Sequence, residues 1–198
     1  MFPSGTSLCG NVSGPMAALA MILIAVGANL SAHDGRTSYQ VCTEAVDALA
    51  RLPGIRLVAM SPWYRSAPVP RSDQPDYLNG VARLAPTGSI EPDPATLLAM
   101  LQEIEQANGR ERSVPNAART LDLDIIAMGE GGQIVREQPD PVLPHPRAHL
   151  RAFVLLPVQD VAPDWVHPGL GCIVRDLISG LPAGQLHRSA ISLVGEQP

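Results

Sequence analysis

The chain reads as α+β, a ferredoxin-like β-α-β-β-α-β sandwich with a C-terminal extension, and three observations carry that reading. Met21–Val26 is a continuous apolar run closed by Gly27-Ala28-Asn29, which marks a central strand ending in a tight turn. Two segments with helical spacing fall between the first and second and the third and fourth strand-like runs. The last of those runs, Leu121–Met128, opens with strict alternation. Such an order lays two helices over one face of a mixed sheet and leaves the other face free, with the later elements available to wall a site.

Each element has a local reason. Residues 1–15 are rich in Gly, Ser and Pro and are expected to be a disordered leader, with Met1, Met16 or Met21 as the translation start. The run Met16–Ala28 is too short to span a bilayer, and no Arg or Lys precedes Arg36, so it reads as a buried strand rather than a signal or anchor. Thr37–Leu52 carries Val41, Ala45, Ala48, Leu49 and Leu52 on one helical face and stops at Pro53-Gly54. Ile55–Arg65 is strand-like, the Pro-rich stretch 67–75 is a connection, and Tyr77–Leu84 is the next strand. Asp93 caps a helix with Pro94 at its first position and Leu97, Leu98, Leu101 and Ile104 on one face, ended by Asn108-Gly109. The polar segment 109–120 is expected to be a mobile loop. After the proline-dense 139–146 come helices over His149–Val158 and Cys172–Ser179.

The chain has 198 residues, 45% of them hydrophobic and 17% charged, with a net charge of −5, which fits one folded domain over 16–185 followed by a loose tail at 186–198. Mild acidity excludes a general nucleic-acid or anionic-membrane binder. All 14 cations are Arg, so a Walker-type phosphate loop and Schiff-base chemistry are both excluded. Any phosphate must be held by Arg forks, backbone N–H groups or metal. Cys9, Cys42 and Cys172 are few and dispersed, and the simple expectation is free thiols in a cytoplasmic protein.

Three clusters carry chemistry. In Arg119-Thr120-Leu121-Asp122-Leu123-Asp124-Ile125, strand alternation turns Asp122 and Asp124 to one face and Leu121, Leu123 and Ile125 to the core. Two carboxylates at that spacing suit magnesium bound with phosphate oxygens; a solvated acidic edge is the alternative. Arg110, Arg112 and Arg119 nearby suit a polyphosphate. In Asp76-Tyr77-Leu78-Asn79, Tyr77 and Asn79 share a face, an aromatic plate beside an amide, which suits a flat heterocycle as well as an ordinary buried pair. His145 stands between Pro144 and Pro146, held in extended backbone, and Phe153 is either a second plate or helix core. Zinc at His145 and His149 is disfavoured because Pro146 breaks the helix that this spacing would need.

Taken together, these residues resemble the 6-hydroxymethyl-7,8-dihydropterin pyrophosphokinase family of folate biosynthesis. The resemblance runs in order through Gly27-Ala28-Asn29-Leu30, Tyr64-Arg65-Ser66, Gln74 through Asn79, Gln102 through Glu105, Gly109 through Arg112, Arg119 through Ile125, Pro144-His145-Pro146 and Arg151 through Leu155. It implies a magnesium-dependent transfer of pyrophosphate from ATP to the hydroxymethyl group of 6-hydroxymethyl-7,8-dihydropterin, releasing AMP, by a monomer. It further implies that Asp122 and Asp124 hold two Mg²⁺ ions and that Tyr77 and Phe153 sandwich the pterin. Asn79, Ser66 and Val69 would read the pterin edge, and Arg110 and Arg119 would neutralise the transferring groups. Gln102, Arg112, Ile125, His145 and Arg151 would contact ATP. Asn116, Pro115, Pro70 and Asp140 depart from the family's usual residues, and the departures at 115, 116 and 70 bear on how the loops close. Two rival readings of the same residues are a two-metal phosphodiesterase or nucleotidyl transferase, and a non-catalytic ligand-binding module.

Overall fold

In the computed structural model the described residues are 20–68, 73–88, 91–110 and 119–182, with the backbone of 191–193. The leader 1–15, Val69, Pro70, Arg112, Pro115 and Asn116 lie outside them. Strand β1 (Ala20–Ala28) is the centre of the sheet, flanked by β4 (Tyr77–Pro86) on one side and β5 (Asp122–Glu130) on the other. The expected strand over 55–65 is two strands, β2 (Ile55–Met60) and β3 (Tyr64–Ser66), which pair with successive stretches of β4. The break between them is Ser61-Pro62-Trp63, where proline has no N–H to give the ladder. Ser61 bridges the gap instead: its N–H donates to the Val81 carbonyl and its Oγ accepts from the Val81 N–H, both at 3.0 Å. Every pairing among the described residues is antiparallel, so the sheet is not the mixed one expected. Part of the expected loose tail, Ile191–Leu193, is strand β8 on the outer edge of β3.

Helices α1 (Ser38–Ala50) and α2 (Pro94–Ala107) start where the sequence signals them. Thr37 and Gln40 form a capping box, each side chain serving the other's backbone N–H, and the Asp93 carboxylate accepts the Thr96 N–H. Asn108 caps α2, and Gly109 follows at φ 77°, a left-handed position that glycine takes without strain. These two helices bury Val41, Leu49, Leu97 and Leu101 against Ile22, Ile24, Leu123 and Ile125 on the first face of the sheet.

The second face is not free. After a 3-10 turn (Ala148–Leu150) and the extended residue Arg151, helix α3 (Ala152–Val161) lies across it, packing Val154, Leu155 and Val158 on Met21, Leu23, Val81 and Ile126. The hairpin of β6 (Val166–His167) and β7 (Cys172–Ile173) and helix α4 (Val174–Ser179) complete this layer. β1 is a continuous apolar run because both its faces are covered. Tyr64 donates to Asp160 Oδ2 at 2.8 Å and Arg83 Nη1 to the Val161 carbonyl at 3.1 Å, tying the end of α3 to β3 and β4. Cys42 is a buried free thiol, pushed up to about 12 by burial, whereas Cys172 is disulfide-bonded, which corrects the expectation of three free thiols. Sequence separation carries no information on which thiols meet in space. No helix among the described residues is long and apolar enough to cross a membrane.

Candidate active site

α3 covers only part of the second face, and the remainder is a cavity of about 230 Å³. Its floor follows from strand register. Gly27 of β1 lies between Asp122 of β5 and Asn79 of β4, and Ala25 lies between Asp124 and Val81. With a hydrogen and a methyl group at those two positions, the flanking carboxylates and amide border open space. A Cβ at Gly27 would meet Asn79 Oδ1 at 3.6 Å, an ordinary contact, so anything larger would project into the cavity.

The acidic side of the cavity is built on β5. Asp122 and Asp124 both line it, as alternation requires, and their neighbour Leu123 is buried on the other face. Asp122 sits between two guanidinium groups: Arg119 hydrogen-bonds its Oδ2, and Arg110 Nη1 lies 2.9 Å from Oδ1. Oδ1 receives no hydrogen bond among the described residues, so that contact is ionic only and leaves the oxygen a free lone pair. Arg110 is held in turn by Glu105, which is almost wholly buried on α2 and also accepts the Leu123 N–H at 2.7 Å. Burial pushes the Glu105 carboxyl upward, and those two donors pull against it. The Asp124 carboxyl is raised by burial and by the charge on Asp122, with His145, Arg119 and Arg151 opposing.

His145 reaches this site through an irregularity in β5. The register between β1 and β5 slips so that Leu23 faces Ala127 while Ile24 faces Ile125, leaving Ile126 as the extra residue of a bulge. The carbonyl of Ile126 accepts the His145 N–H at 2.9 Å. His145 Nδ1 accepts the Arg147 N–H at 3.2 Å, so in the neutral ring Nε2 carries the proton, 3.9 Å from Asp124 Oδ2. Burial lowers the affinity of this imidazole for a second proton, with Arg151 and Arg147 adding to the effect and Asp124 opposing it. Strand alternation keeps Ile125 out of the cavity: with Leu123 it packs beneath α1 and α2, and Ile126, on the face of Asp122 and Asp124, lines the cavity instead, so the expected nucleotide contact of Ile125 is not formed by its side chain here.

The opposite wall holds the polar and aromatic groups. Asn79 is buried and donates from Nδ2 to Ser66 Oγ at 2.9 Å, leaving its Oδ1 over Gly27. Tyr77 lines the cavity with its hydroxyl 3.5 Å from Gln74 Oε1, and Phe153 lines it from the first turn of α3 under Arg151, whose Cζ is 5.6 Å from the ring centroid. Burial raises the Tyr77 phenol. Thus Asp122, Asp124, Arg119, His145, Arg151, Tyr77, Asn79, Phe153 and Ser66 converge on one cavity, with Arg110 in contact through Asp122. Gln102, half-buried on α2, does not line it.

One residue was given no role from sequence and organises two walls. Asn29 is buried at the end of β1; its Oδ1 accepts the Arg119 N–H at 2.8 Å, and its Nδ2 donates to Gln74 Oε1 at 3.2 Å and the Pro75 carbonyl at 3.3 Å. An amide at the foot of an otherwise apolar strand was the available signal. Among the described residues no group of three His, Cys, Asp or Glu side chains is placed to hold a metal ion by itself. A hard cation could therefore take two carboxylates from this protein, with phosphate oxygens and water completing its shell, which is how Mg²⁺ is commonly bound. The donor set fits that ion.

Known proteins share this architecture. A family model described as 7,8-dihydro-6-hydroxymethylpterin-pyrophosphokinase matches residues 23–163. The 2-amino-4-hydroxy-6-hydroxymethyldihydropteridine pyrophosphokinase of Pseudomonas aeruginosa is 40% identical over 167 residues, covering 84% of this chain and 95% of the relative. The protein of the same name from Haemophilus influenzae is 37% identical over 155 residues, covering 78% of this chain and 89% of the relative. In fold, the chain is similar to the wild-type HPPK-DHPS of Plasmodium falciparum crystallised with pteroate, with a TM-score of 0.60 and 11% identity. That match covers 83% of this chain and 45% of the longer one.

Proposed function

The chain belongs to the 7,8-dihydro-6-hydroxymethylpterin-pyrophosphokinase family, enzymes of folate biosynthesis, and from that premise we propose that it transfers the pyrophosphoryl group of ATP to 6-hydroxymethyl-7,8-dihydropterin with two Mg²⁺ ions. The observation that carries this reading is the cavity in which the Asp122 and Asp124 carboxylates face Tyr77, Asn79 and Phe153. The fold that supports it is the ferredoxin-like sandwich, with α3 as the added wall.

In the reaction the hydroxymethyl oxygen attacks the β-phosphorus of ATP, the bond from that phosphorus to the α-phosphate oxygen breaks, and AMP leaves with that oxygen. The hydroxyl gives its proton to solvent water as the new bond forms. Catalysis of this kind is mainly positioning and charge stabilisation. Tyr77 and Phe153 stack on the two faces of the pterin. Asn79 accepts from its edge through Oδ1, because Ser66 already engages the amide nitrogen. Asp122 and Asp124 would hold the two Mg²⁺ ions, which when bound screen the phosphate charge and polarise the phosphorus. Asp122 also orients the attacking hydroxyl. Arg119 and Arg110, which flank Asp122, would neutralise charge on the transferring phosphates. His145 donates from Nε2 and with Arg151 contacts the nucleotide, and the family resemblance would add Arg112 to the nucleotide contacts and Val69 to the readers of the pterin edge. Product formation is tested by incubating the protein with ATP, Mg²⁺ and the pterin alcohol. AMP that depends on the pterin and collapses in Asp124→Ala is the expected result; ADP or phosphate would assign another phosphoryl-transfer class.

A further inference from the structure

Outside the cavity, two histidines meet on the far side of its wall. His149 lies in the 3-10 turn and His167 in β6, with rings edge to face at 81° and centroids 5.3 Å apart. His167 is 6% exposed and tilts against Trp165, 5.6 Å between ring centroids. Each ring has one buried nitrogen with no hydrogen-bond partner among the described residues: Nδ1 of His149 and Nε2 of His167. An unsatisfied buried polar group is costly, so two in adjacent rings ask for a joint explanation. The protonation pattern supplies one. His167 Nδ1 accepts the Gly169 N–H at 3.2 Å, so in the neutral ring its Nε2 is a donor. The same bond argues against a metal at His167, since the ring nitrogen left over carries a proton. His149 Nδ1 is then the matching acceptor.

We propose that His149 and His167 are a positioning pair: a neutral N–H of His167 serves the Nδ1 lone pair of His149, directly or through one water, and docks the 3-10 turn on the β6–β7 hairpin. Two residues beyond His149 is Arg151, which covers Phe153, and both line the cavity. The Arg151 carbonyl also accepts the first N–H groups of α3, from Val154 at 3.1 Å and Leu155 at 3.0 Å. The pair therefore fixes the point where the wall turns into helix. Protonation of His149 makes Nδ1 a donor facing a donor, and adds a charge beside Arg147 and Arg151 on the same segment. On the hairpin side, Trp165 and the Gly131-Gly132-Gln133 turn that meets it bring no ionisable group to offset that charge. Consistently, burial and then the charge of His149 lower the proton affinity of His167.

This inference rests on reading the cavity as the nucleotide and pterin site, and its test separates the two. Histidine-ring NMR titration of the full chain, without ligand, is compared among wild type, His167→Phe and His149→Gln. Calorimetric binding of α,β-methylene-ATP with Mg²⁺ is followed over the same range. The titration of the His167 ring is expected to move when the ring at 149 is replaced. Affinity for the analogue should fall at least about fivefold from about pH 7.5 to about pH 5.5 in wild type. Glutamine at 149 offers an acceptor that never protonates, so it should keep the high-pH affinity and reduce the fall. Phenylalanine at 167 should weaken binding at every pH. Dependence common to all three proteins belongs to Asp124 and His145. A His167 titration unchanged in His149→Gln, or an affinity profile of His149→Gln that follows wild type, overturns the proposal. Coupled rings in a protein that binds no analogue support the docking contact and count against the functional reading instead.

Discussion

The two faces of the sheet are made by the same strands and differ in what the alternate residues carry. Beneath α1 and α2, β1 contributes Ile22, Ile24 and Val26 and β5 contributes Leu123 and Ile125, and the space between layers is filled. On the opposite face the same strands present Ala25, Gly27, Asp122 and Asp124, and the covering layer stops short. One face spends its positions on buried apolar area and contributes stability. The other keeps carboxylates close together and partly buried, an arrangement that costs stability and gains binding. Substitutions on the two faces should accordingly separate activity from folding.

The widest separation is expected at Asp124. Asp124→Asn should lower AMP formation by about a thousandfold or more, since a carboxylate that would hold the cation is lost. The same substitution should raise the melting temperature of the ligand-free protein. The folded carboxyl has its proton affinity raised by burial and by Asp122. Its ionisation therefore opposes folding, and stability is lost as pH rises through the folded pKa. Scanning calorimetry with a parallel AMP assay checks both signs, and a lower melting temperature would contradict the electrostatic account. In wild type, activity should fall as pH drops through that raised value.

Leu101, fully buried beneath the sheet, should give the reverse pattern. Leu101→Ala is expected to cost about 2–5 kcal/mol in urea unfolding while leaving turnover per folded molecule near wild type. Loss of turnover without loss of stability would break the division between faces. Gly27→Val tests the cavity floor. A Cβ has room there, so the fold should survive, but the added methyl groups enter the cavity, and pterin affinity should fall about tenfold or more by equilibrium binding. The smallest effect is expected at Tyr64→Phe. It removes the 2.8 Å bond to Asp160 that anchors the end of α3, costing about 1 kcal/mol in thermal unfolding and little activity. Tyr64 should ionise far above neutrality, because burial and Asp160 both oppose the phenolate, so this bond persists over the whole assay range.

Much of this molecule was legible before its structure. Strand alternation alone puts Asp122 and Asp124 on one face and Leu123 on the other, and Thr37, Asp93 and Gly109 mark helix ends by hydrogen bonds and dihedrals that involve only near neighbours. Tyr77 and Asn79 are paired by the same period-two rule. These are local regularities, fixed by backbone geometry whatever the rest of the chain does. The tertiary structure decided what depends on register and distant contact. The bulge at Ile126 brings His145 to Asp124, and no single-strand periodicity foretells where a ladder slips. Asn29 joins Arg119 to Gln74 and Pro75 across separations of 90, 45 and 46 residues. α3 closes a face that the seven strands and helices before it leave open, converting an exposed row of carboxylates into a cavity. Such pairings form only when the whole chain has collapsed on one register, because their energy lies between elements rather than within them.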